Sequence, residues 1–134
     1  MIKQGYFAKI KDYPEDEVKL IVSRKYPWFL GKTGAFTNYP HEPELGPSQW
    51  LLDNYKNGAV NWEGYVHMYK FDLLTNPETW KPLSTVARIG AQKDIRLLCW
   101  EKALDHKCHR FLLLEILEAF GLDVQKEGDQ KDES

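Results

Sequence analysis

Two cysteines, a histidine and an arginine lie close together near the carboxyl end of the chain. Cys99 belongs to the run 97–102, Leu-Leu-Cys-Trp-Glu-Lys, and Cys108, His109 and Arg110 follow after a short loop. A cysteine in the first turn of a helix, beside histidine and arginine, has a lowered thiol pKa and more of the nucleophilic thiolate. Arginine grips phosphate or carboxylate with two N–H groups, and histidine can carry a proton near neutral pH. This segment predicts either thiol chemistry or recognition of an anion.

The elements around this segment explain why chemistry belongs there. Residues 94–100 are mostly apolar and predict a buried strand, and residues 107–120 predict a helix that is apolar almost all round and stops at Gly121. In open α/β sheets, ligands bind beyond the carboxyl ends of the strands, where a helix N-terminus offers unpaired N–H groups and partial positive charge. The sequence therefore places the site at this strand-to-helix junction.

A second strand is expected to supply the other side of the site. Residues 18–23 are rich in β-branched side chains and end at Ser23, with Arg24 directly after them. If this strand is parallel to the one carrying Cys99 and adjacent to it, both carboxyl ends open into one crevice. The predicted ligand-binding residues are Arg24, Arg110 and Ser23. The predicted catalytic residues are Cys108 as nucleophile, His109 as its activator, Glu101 as orienting carboxylate or proton carrier, and Cys99.

Structural roles are the alternative for each of these residues. Cys99, between two large apolar neighbours, has the setting of a small buried hydrophobe. His109 can cap a helix end, and Arg110 can pair with Glu101 or Asp105, since ion-pair networks resemble functional sites. Arg24 can be an ordinary surface arginine.

The spacing of the possible metal ligands and phosphate-binding residues matches none of the common metal and cofactor motifs. Cys99, His106, Cys108 and His109 are possible zinc ligands, but ribbons and fingers place the two ligands of each pair two to four residues apart. The chain also lacks a phosphatase Cys-x5-Arg loop, a glycine-rich phosphate loop and a paired-histidine metalloprotease motif. The sequence predicts no metal and no cofactor.

The remaining elements follow from periodicity and punctuation. Residues 4–11 predict a first strand, although Phe7 breaks the alternation, and residues 26–47 predict a long loop dense in proline, glycine and aromatic residues. The aromatic side chains between Trp28 and Tyr39 are a candidate lid over a ring. Three helices are predicted, with Ser48, Asn61 and Asn76 as their N-caps.

Length and charge limit the class of protein. The 134 residues correspond to one domain, predicted over residues 1–124, and the charged stretch 125–134 is predicted to be a flexible tail. The net charge is −2 and the tail alone accounts for it, so the folded part is neutral and nucleic-acid binding is possible but not favoured.

The chain holds no apolar run long enough for a membrane span, and no signal peptide is recognisable at Met1. Two cysteines make no disulfide framework, so we expect a cytoplasmic protein with reduced thiols.

Several local motifs, taken together, resemble one family over nearly the whole chain, from Gly5 to about Asp123. The most specific is Cys-aromatic-Glu-Lys at 99–102 followed by Cys-His-Arg at 108–110; the others lie at 6–10, 21–24, 45–48, 55–58 and 62–63 with Tyr69. These motifs are similar to those of the domain of unknown function 488 (DUF488) family, with departures at 39–43 and in a slightly longer loop at 103–107. The resemblance implies a compact α/β domain marked by the Cys-His-Arg start of its last helix, and it implies no activity.

The sequence thus predicts a small, single-domain, Rossmann-like α/β fold. Its crevice is expected to bind a small anionic ligand, a nucleotide or another phosphate ester. The alternatives are a thiol-dependent enzyme with Cys108 as nucleophile, and a nucleic-acid or protein interaction module that uses Arg24, Lys25, Lys32 and the aromatic loop.

Overall fold

A computed structural model describes residues 1–25, 39–100 and 107–125. Within these residues there are four strands in one sheet and four α-helices. The strands are β1 (Ile2–Tyr6), β2 (Val18–Ile21), β3 (Ile95–Cys99) and β4 (Val124–Gln125), and the helices are α1 (Gln49–Lys56), α2 (Trp62–Thr75), α3 (Trp80–Gly90) and α4 (His109–Ala119).

The sheet is parallel throughout, with the strand order β2-β3-β1-β4. Tyr6 pairs with Cys99 at the end of β1 and β3, and Ile21 pairs with Leu98 at the end of β2. The carboxyl ends of these three strands therefore lie side by side at one edge of the sheet. The predicted α/β fold is confirmed, as is the parallel pairing of the strands that precede Arg24 and contain Cys99.

The prediction of a first strand over residues 4–11 was wrong in its bounds. The strand ends at Tyr6, and Phe7–Asp12 form a 3₁₀ helix. Two features stop the strand there: its partner β3 ends at Cys99, opposite Tyr6, and the Tyr6 amide donates a hydrogen bond of 3.1 Å to the Tyr13 hydroxyl. Phe7, which breaks the alternation in the sequence, begins the turn.

Ser48 and Asn61 are the helix N-caps that the sequence predicts, whereas Asn76 is not the N-cap of α3, whose N-cap is Thr79. The Ser48 side chain accepts a hydrogen bond from the Leu51 amide at the start of α1, and Asn61 accepts one from Gly64 at the start of α2. Asn76 caps a short 3₁₀ turn, Pro77–Thr79, that leads into α3. These caps satisfy N–H groups that the first turn of a helix leaves unpaired.

Most of the predicted long loop and of the predicted tail lies outside the described residues, so these two predictions stay predictions. Residues 26–38 lie outside the described residues, and with them most of the predicted aromatic lid. The rest of that loop contains a 3₁₀ turn, Pro43–Leu45, and a bridge from His41 to Ile21. At the carboxyl end, Gln125 is part of β4 and pairs with Lys3 of β1. Residues 126–134 lie outside the described part of the chain.

The core lies on both faces of the sheet. The larger cluster joins one face to the helices and includes Leu97 and Leu113, and the smaller one packs Phe7 and Tyr13 on Ile21 and Leu98. Burying these side chains stabilises the fold by about 25 cal/mol for each Å² of apolar area removed from water. Among the described residues no helix has both the length and the apolar character needed to cross a bilayer.

Candidate functional site

The site begins with a cluster of two thiols and one imidazole where β3 ends and α4 starts. The Sγ atoms of Cys99 and Cys108 are 3.5 Å apart, and His109 Nδ1 is 3.9 Å from each of them. Cys99 is the last residue of β3 and is buried, whereas Cys108 is the N-cap of α4 and is half-buried. The strand end and the helix start thus bring together residues that a loop separates along the chain.

The backbone of the neighbouring strand fixes the imidazole. His109 Nε2 lies 2.8 Å from the carbonyl oxygen of Val22, directly after β2. A carbonyl only accepts, so Nε2 donates a proton to it, and in the neutral form of the ring the Nδ1 lone pair faces the two sulfurs. The Tyr69 ring packs against the imidazole, with centroids 5.7 Å apart, and further limits its rotation.

Arg110 lies behind the cluster rather than in the crevice. Its side chain is completely buried, its Nε donates to Gln4 Oε1 at 2.8 Å, and its Nη1 donates to Cys108 Sγ at 3.4 Å. The guanidinium also lies 4.6 Å from the centre of the Phe111 ring. Because its side chain has no exposed surface, Arg110 does not line the cavity, and its printed contact with the cluster is to the Cys108 sulfur.

The pKa values of the two thiols are shifted in opposite directions. Hydrogen bonding to Cys108, together with burial, raises the pKa of the Cys99 thiol. The same hydrogen bond lowers the pKa of the Cys108 thiol, and the nearby His109 and Arg110 lower it further. Of the two thiols, Cys108 is therefore the stronger acid, because a hydrogen-bond donor and positive charge next to a thiol favour its thiolate form.

A cavity of about 430 Å³ opens directly onto this cluster. Four cationic side chains are among its lining residues, and none of the described lining residues is acidic. Aromatic and apolar side chains from α1, α2 and the end of β3 complete the wall. The lining residues are Ser23, Arg24, Lys25, Pro47, Leu52, Tyr55, Lys56, Tyr65, Cys99, Trp100, Lys107, Cys108 and His109.

Arg24 is held in the cavity wall by the chain segment that precedes α1. Its Nε donates to the Pro47 carbonyl at 2.9 Å. The backbone of Arg24 is itself packed against Gly46, where a Cβ atom would lie 2.7 Å from the Arg24 nitrogen. The hydroxyl of the neighbouring Ser23 donates a hydrogen bond of 2.7 Å to the Lys25 carbonyl oxygen. Arg24 is therefore presented to the cavity by a well-fixed backbone.

The structure brings together most of the site that the sequence predicted. Arg24, Ser23, Cys99, Cys108 and His109 all line the one cavity. Glu101 and Lys32 lie outside the described residues, so the orienting carboxylate and the extended basic face stay predictions. The roles assigned to the other residues, catalysis and ligand binding, also stay predictions.

Sequence reasoning missed the contribution of the helices. Tyr55 and Lys56 come from the last turn of α1, and Tyr65 comes from the first turn of α2. Burial raises the pKa of Tyr65, so its hydroxyl stays neutral at the cavity wall. Gln4, the buried acceptor for Arg110, was missed too. Gln4 alternates in phase with Ile2 and Tyr6, so a polar side chain on the apolar face of the strand was the available signal.

The donor atoms of Cys99, Cys108 and His109 also form a group that could hold a metal ion, since they all lie within 4.8 Å of one another. The expectation of no zinc rests on separation along the chain. In the structure the end of β3 lies beside the start of α4, so these donor atoms meet although their spacing along the chain is not that of a ribbon or a finger.

Comparison with known families identifies the family of this chain. A family model described as the active DUF488-N3 subclade matches residues 6–121, which is most of the chain. No curated protein and no solved structure matches the sequence. The matched range includes both cysteines, His109 and Arg24, so the chain belongs to the DUF488 family.

Proposed function

We propose that the chain binds a small anionic ligand, a nucleotide or another phosphate ester, in the cavity above Cys108 and His109. The observation that carries this proposal is the charge of the cavity wall. Arg24, Lys25, Lys56 and Lys107 line it, and none of the described lining residues is acidic. In a chain whose folded part is formally neutral, four cations around one concave surface attract negative charge to that surface.

Arg24 is the best placed of the four cations to give specificity. Its planar guanidinium has five N–H donors, and one of them is used to fix the side chain on the Pro47 carbonyl. The terminal nitrogens match the spacing of two oxygens on a phosphate, whereas a lysine ammonium acts as a point charge. The positive end of the α4 dipole, at Cys108, adds to the same field.

The size and the aromatic wall support a ligand that carries a ring. A volume of about 430 Å³ lies within the range of small-molecule pockets, roughly 300–1,000 Å³. Tyr55, Tyr65 and Trp100 are all among the lining residues, and flat side chains of this kind stack on a nucleobase. Inorganic phosphate would use the cations alone, whereas a nucleotide would use both parts of the wall.

The test is a ligand panel followed by one matched pair of variants. Thermal shift with nucleoside mono- and diphosphates, the parent nucleosides and inorganic phosphate should give stabilisation by phosphorylated members only. Arg24→Ala should weaken the affinity of the best ligand about 10- to 100-fold in calorimetry, because a charged hydrogen bond contributes about 1.5–3 kcal/mol. Arg88→Ala, which removes an exposed arginine from the last turn of α3, should leave that affinity unchanged.

The proposal fails if no phosphorylated compound stabilises the wild-type protein. It fails equally if Arg24→Ala binds as tightly as Arg88→Ala. The melting temperatures of the two variants without ligand separate lost binding from lost folding, since Arg24 also holds the Pro47 carbonyl.

A thiol-dependent enzyme with Cys108 as nucleophile is the second candidate. Its support is geometric: the Cys108 sulfur lines the cavity while Arg110 Nη1 donates to it from behind. His109 would then move the proton, and Cys99 would donate to the thiolate. Alkylation at neutral pH should be faster at Cys108 than in a model thiol, and a rate no greater than that of the model thiol would exclude the nucleophile. Both candidates belong to the reducing, cytoplasmic setting that we propose from the cysteine content.

A further inference from the structure

The three donor atoms of the cluster are arranged as the corners of a nearly equilateral triangle. The sulfur-to-sulfur side is 3.5 Å, and the two sides from sulfur to His109 Nδ1 are 3.9 Å each. A nitrogen 3.9 Å from sulfur is at the far limit of a hydrogen bond. Two equal contacts of that length suggest that the atoms face a common centre rather than one another.

The dimensions of this triangle match those of a zinc site. With Zn–S near 2.3 Å and Zn–N near 2.0–2.1 Å, tetrahedral angles put two sulfurs about 3.8 Å apart and sulfur about 3.6 Å from nitrogen. The centre of the observed triangle lies about 2.2 Å from each corner, which is close to these bond lengths. An ion at that centre would need shifts of only a few tenths of an ångström.

The orientation of the imidazole fits metal binding as well. Histidine ligands of metals usually donate their second N–H to a carboxylate or a backbone carbonyl, which fixes both the tautomer and the ring. His109 does this through Nε2 and the Val22 carbonyl, so the nitrogen left with a lone pair is the one that faces the sulfurs. Arg110 is a second outer contact, since its Nη1 donates to Cys108 Sγ.

We propose that Cys99, Cys108 and His109 bind one zinc ion whose fourth coordination position opens onto the cationic cavity. Cys108 and His109 both line that cavity, so the open position is on its side of the cluster. Three protein ligands with an open position are typical of catalytic rather than structural zinc. In this arrangement an oxygen of the anionic ligand, or a water molecule, occupies the fourth position; that last step rests on the proposed function.

The charges of the two thiolates favour a cluster that holds zinc. Two thiolates neutralise a divalent cation, so the loaded cluster adds no net charge to the cavity, and Arg110 keeps its sulfur contact. Loading releases the remaining thiol protons to solvent. A thiolate bound to zinc is not a free nucleophile, so the metal site and the nucleophile candidate exclude each other in the loaded protein.

Cobalt provides the direct test, because Co²⁺ enters such sites and is coloured. The full-length, chelator-treated and reduced protein should bind one equivalent of Co²⁺, with a sulfur-to-cobalt charge-transfer band and the strong visible bands of tetrahedral geometry. Zn²⁺ should displace the Co²⁺. Cys108→Ser should halve the charge-transfer band, and both Cys108→Ser and His109→Gln should weaken binding by more than about 100-fold, the upper end of the cost of losing an outer-shell partner.

The matched control is His67→Gln, which removes an exposed histidine from α2 and should leave the cobalt spectrum unchanged. If the variants at buried positions do not fold, the wild-type protein decides alone. One equivalent of Zn²⁺ should then slow alkylation of both cysteines at least about tenfold, because it occupies the thiolates that react.

A cobalt spectrum without the thiolate band, or alkylation at the same rate with and without Zn²⁺, would overturn the metal site. The ligand panel, repeated on the chelator-treated protein and on the zinc-loaded protein, separates the two proposals. Arg24-dependent binding to a protein that takes up no metal leaves the proposed function standing. Metal uptake without any ligand binding leaves the zinc site standing and removes the anion from its fourth position.

Discussion

Replacing Gly46 with alanine should disturb both the stability of the fold and the geometry of the cluster. A Cβ atom at this position would lie 2.7 Å from the Arg24 nitrogen, 3.0 Å from the Val22 carbonyl oxygen and 3.2 Å from the Arg24 Cα. All three are backbone atoms, which cannot rotate away. The Gly46 backbone itself is extended, with φ −88° and ψ 172°, so alanine tolerates the conformation and the whole cost is steric.

The size of the effect follows from these distances. Ordinary contact needs at least 3.4 Å, so the backbone of Arg24 must move by about 0.7 Å relative to residue 46. Overpacking of this kind typically costs 1–3 kcal/mol, and we expect about 2 kcal/mol for Gly46→Ala. The Val22 carbonyl that moves with it is the acceptor for His109 Nε2, so binding at the cluster should also weaken.

Urea unfolding and cobalt titration measure the two effects separately. Gly58→Ala is the matched control. Its φ of +85° makes alanine costly by about 1 kcal/mol, while its added Cβ meets nothing within 4 Å. Gly58→Ala should therefore lose stability and keep its site. A Gly46→Ala protein within about 0.5 kcal/mol of wild type, with unchanged metal and ligand binding, would refute the close approach of this segment to the site.

Three further predictions concern the scaffold. Ser48→Ala removes the cap of α1 and should lower the free energy of unfolding by about 1 kcal/mol, measured by urea denaturation, whereas Ser48→Asp should retain most of it. Glu17→Gln takes the carboxylate from the buried Arg96 guanidinium and should cost about 3–5 kcal/mol in the same assay; a loss below about 1 kcal/mol would show that the pair is not desolvated. A hydrogen bond from Lys3 lowers the pKa of Asp94, so its stabilising effect is present above the usual carboxyl pKa and is lost as the pH falls through the lowered value. Asp94→Asn should therefore flatten the acid limb of stability against pH, and an unchanged limb would contradict the pairing.

The sequence by itself determined that four helices form and where α1 and α2 start. Ser48 and Asn61 cap the helices that their positions predicted, because a side chain three residues before an unpaired N–H acts locally. The apolar run at 94–100 likewise became β3, since a buried parallel strand has a local signature. The thiol pair, His109 and Arg24 were selected by residue type and by their places at the ends of elements.

Only the tertiary structure decided how these residues meet. The Val22 carbonyl that orients His109, the Gln4 amide that holds Arg110 and the helix residue Lys56 in the cavity wall belong to segments far apart along the chain. Tertiary structure also decided where the first strand ends, because β1 stops at the residue that pairs with the last residue of its partner β3. Periodicity and capping are set within one or two turns of chain, whereas contacts between elements depend on strand order and register, and those are fixed when the sheet buries its apolar faces.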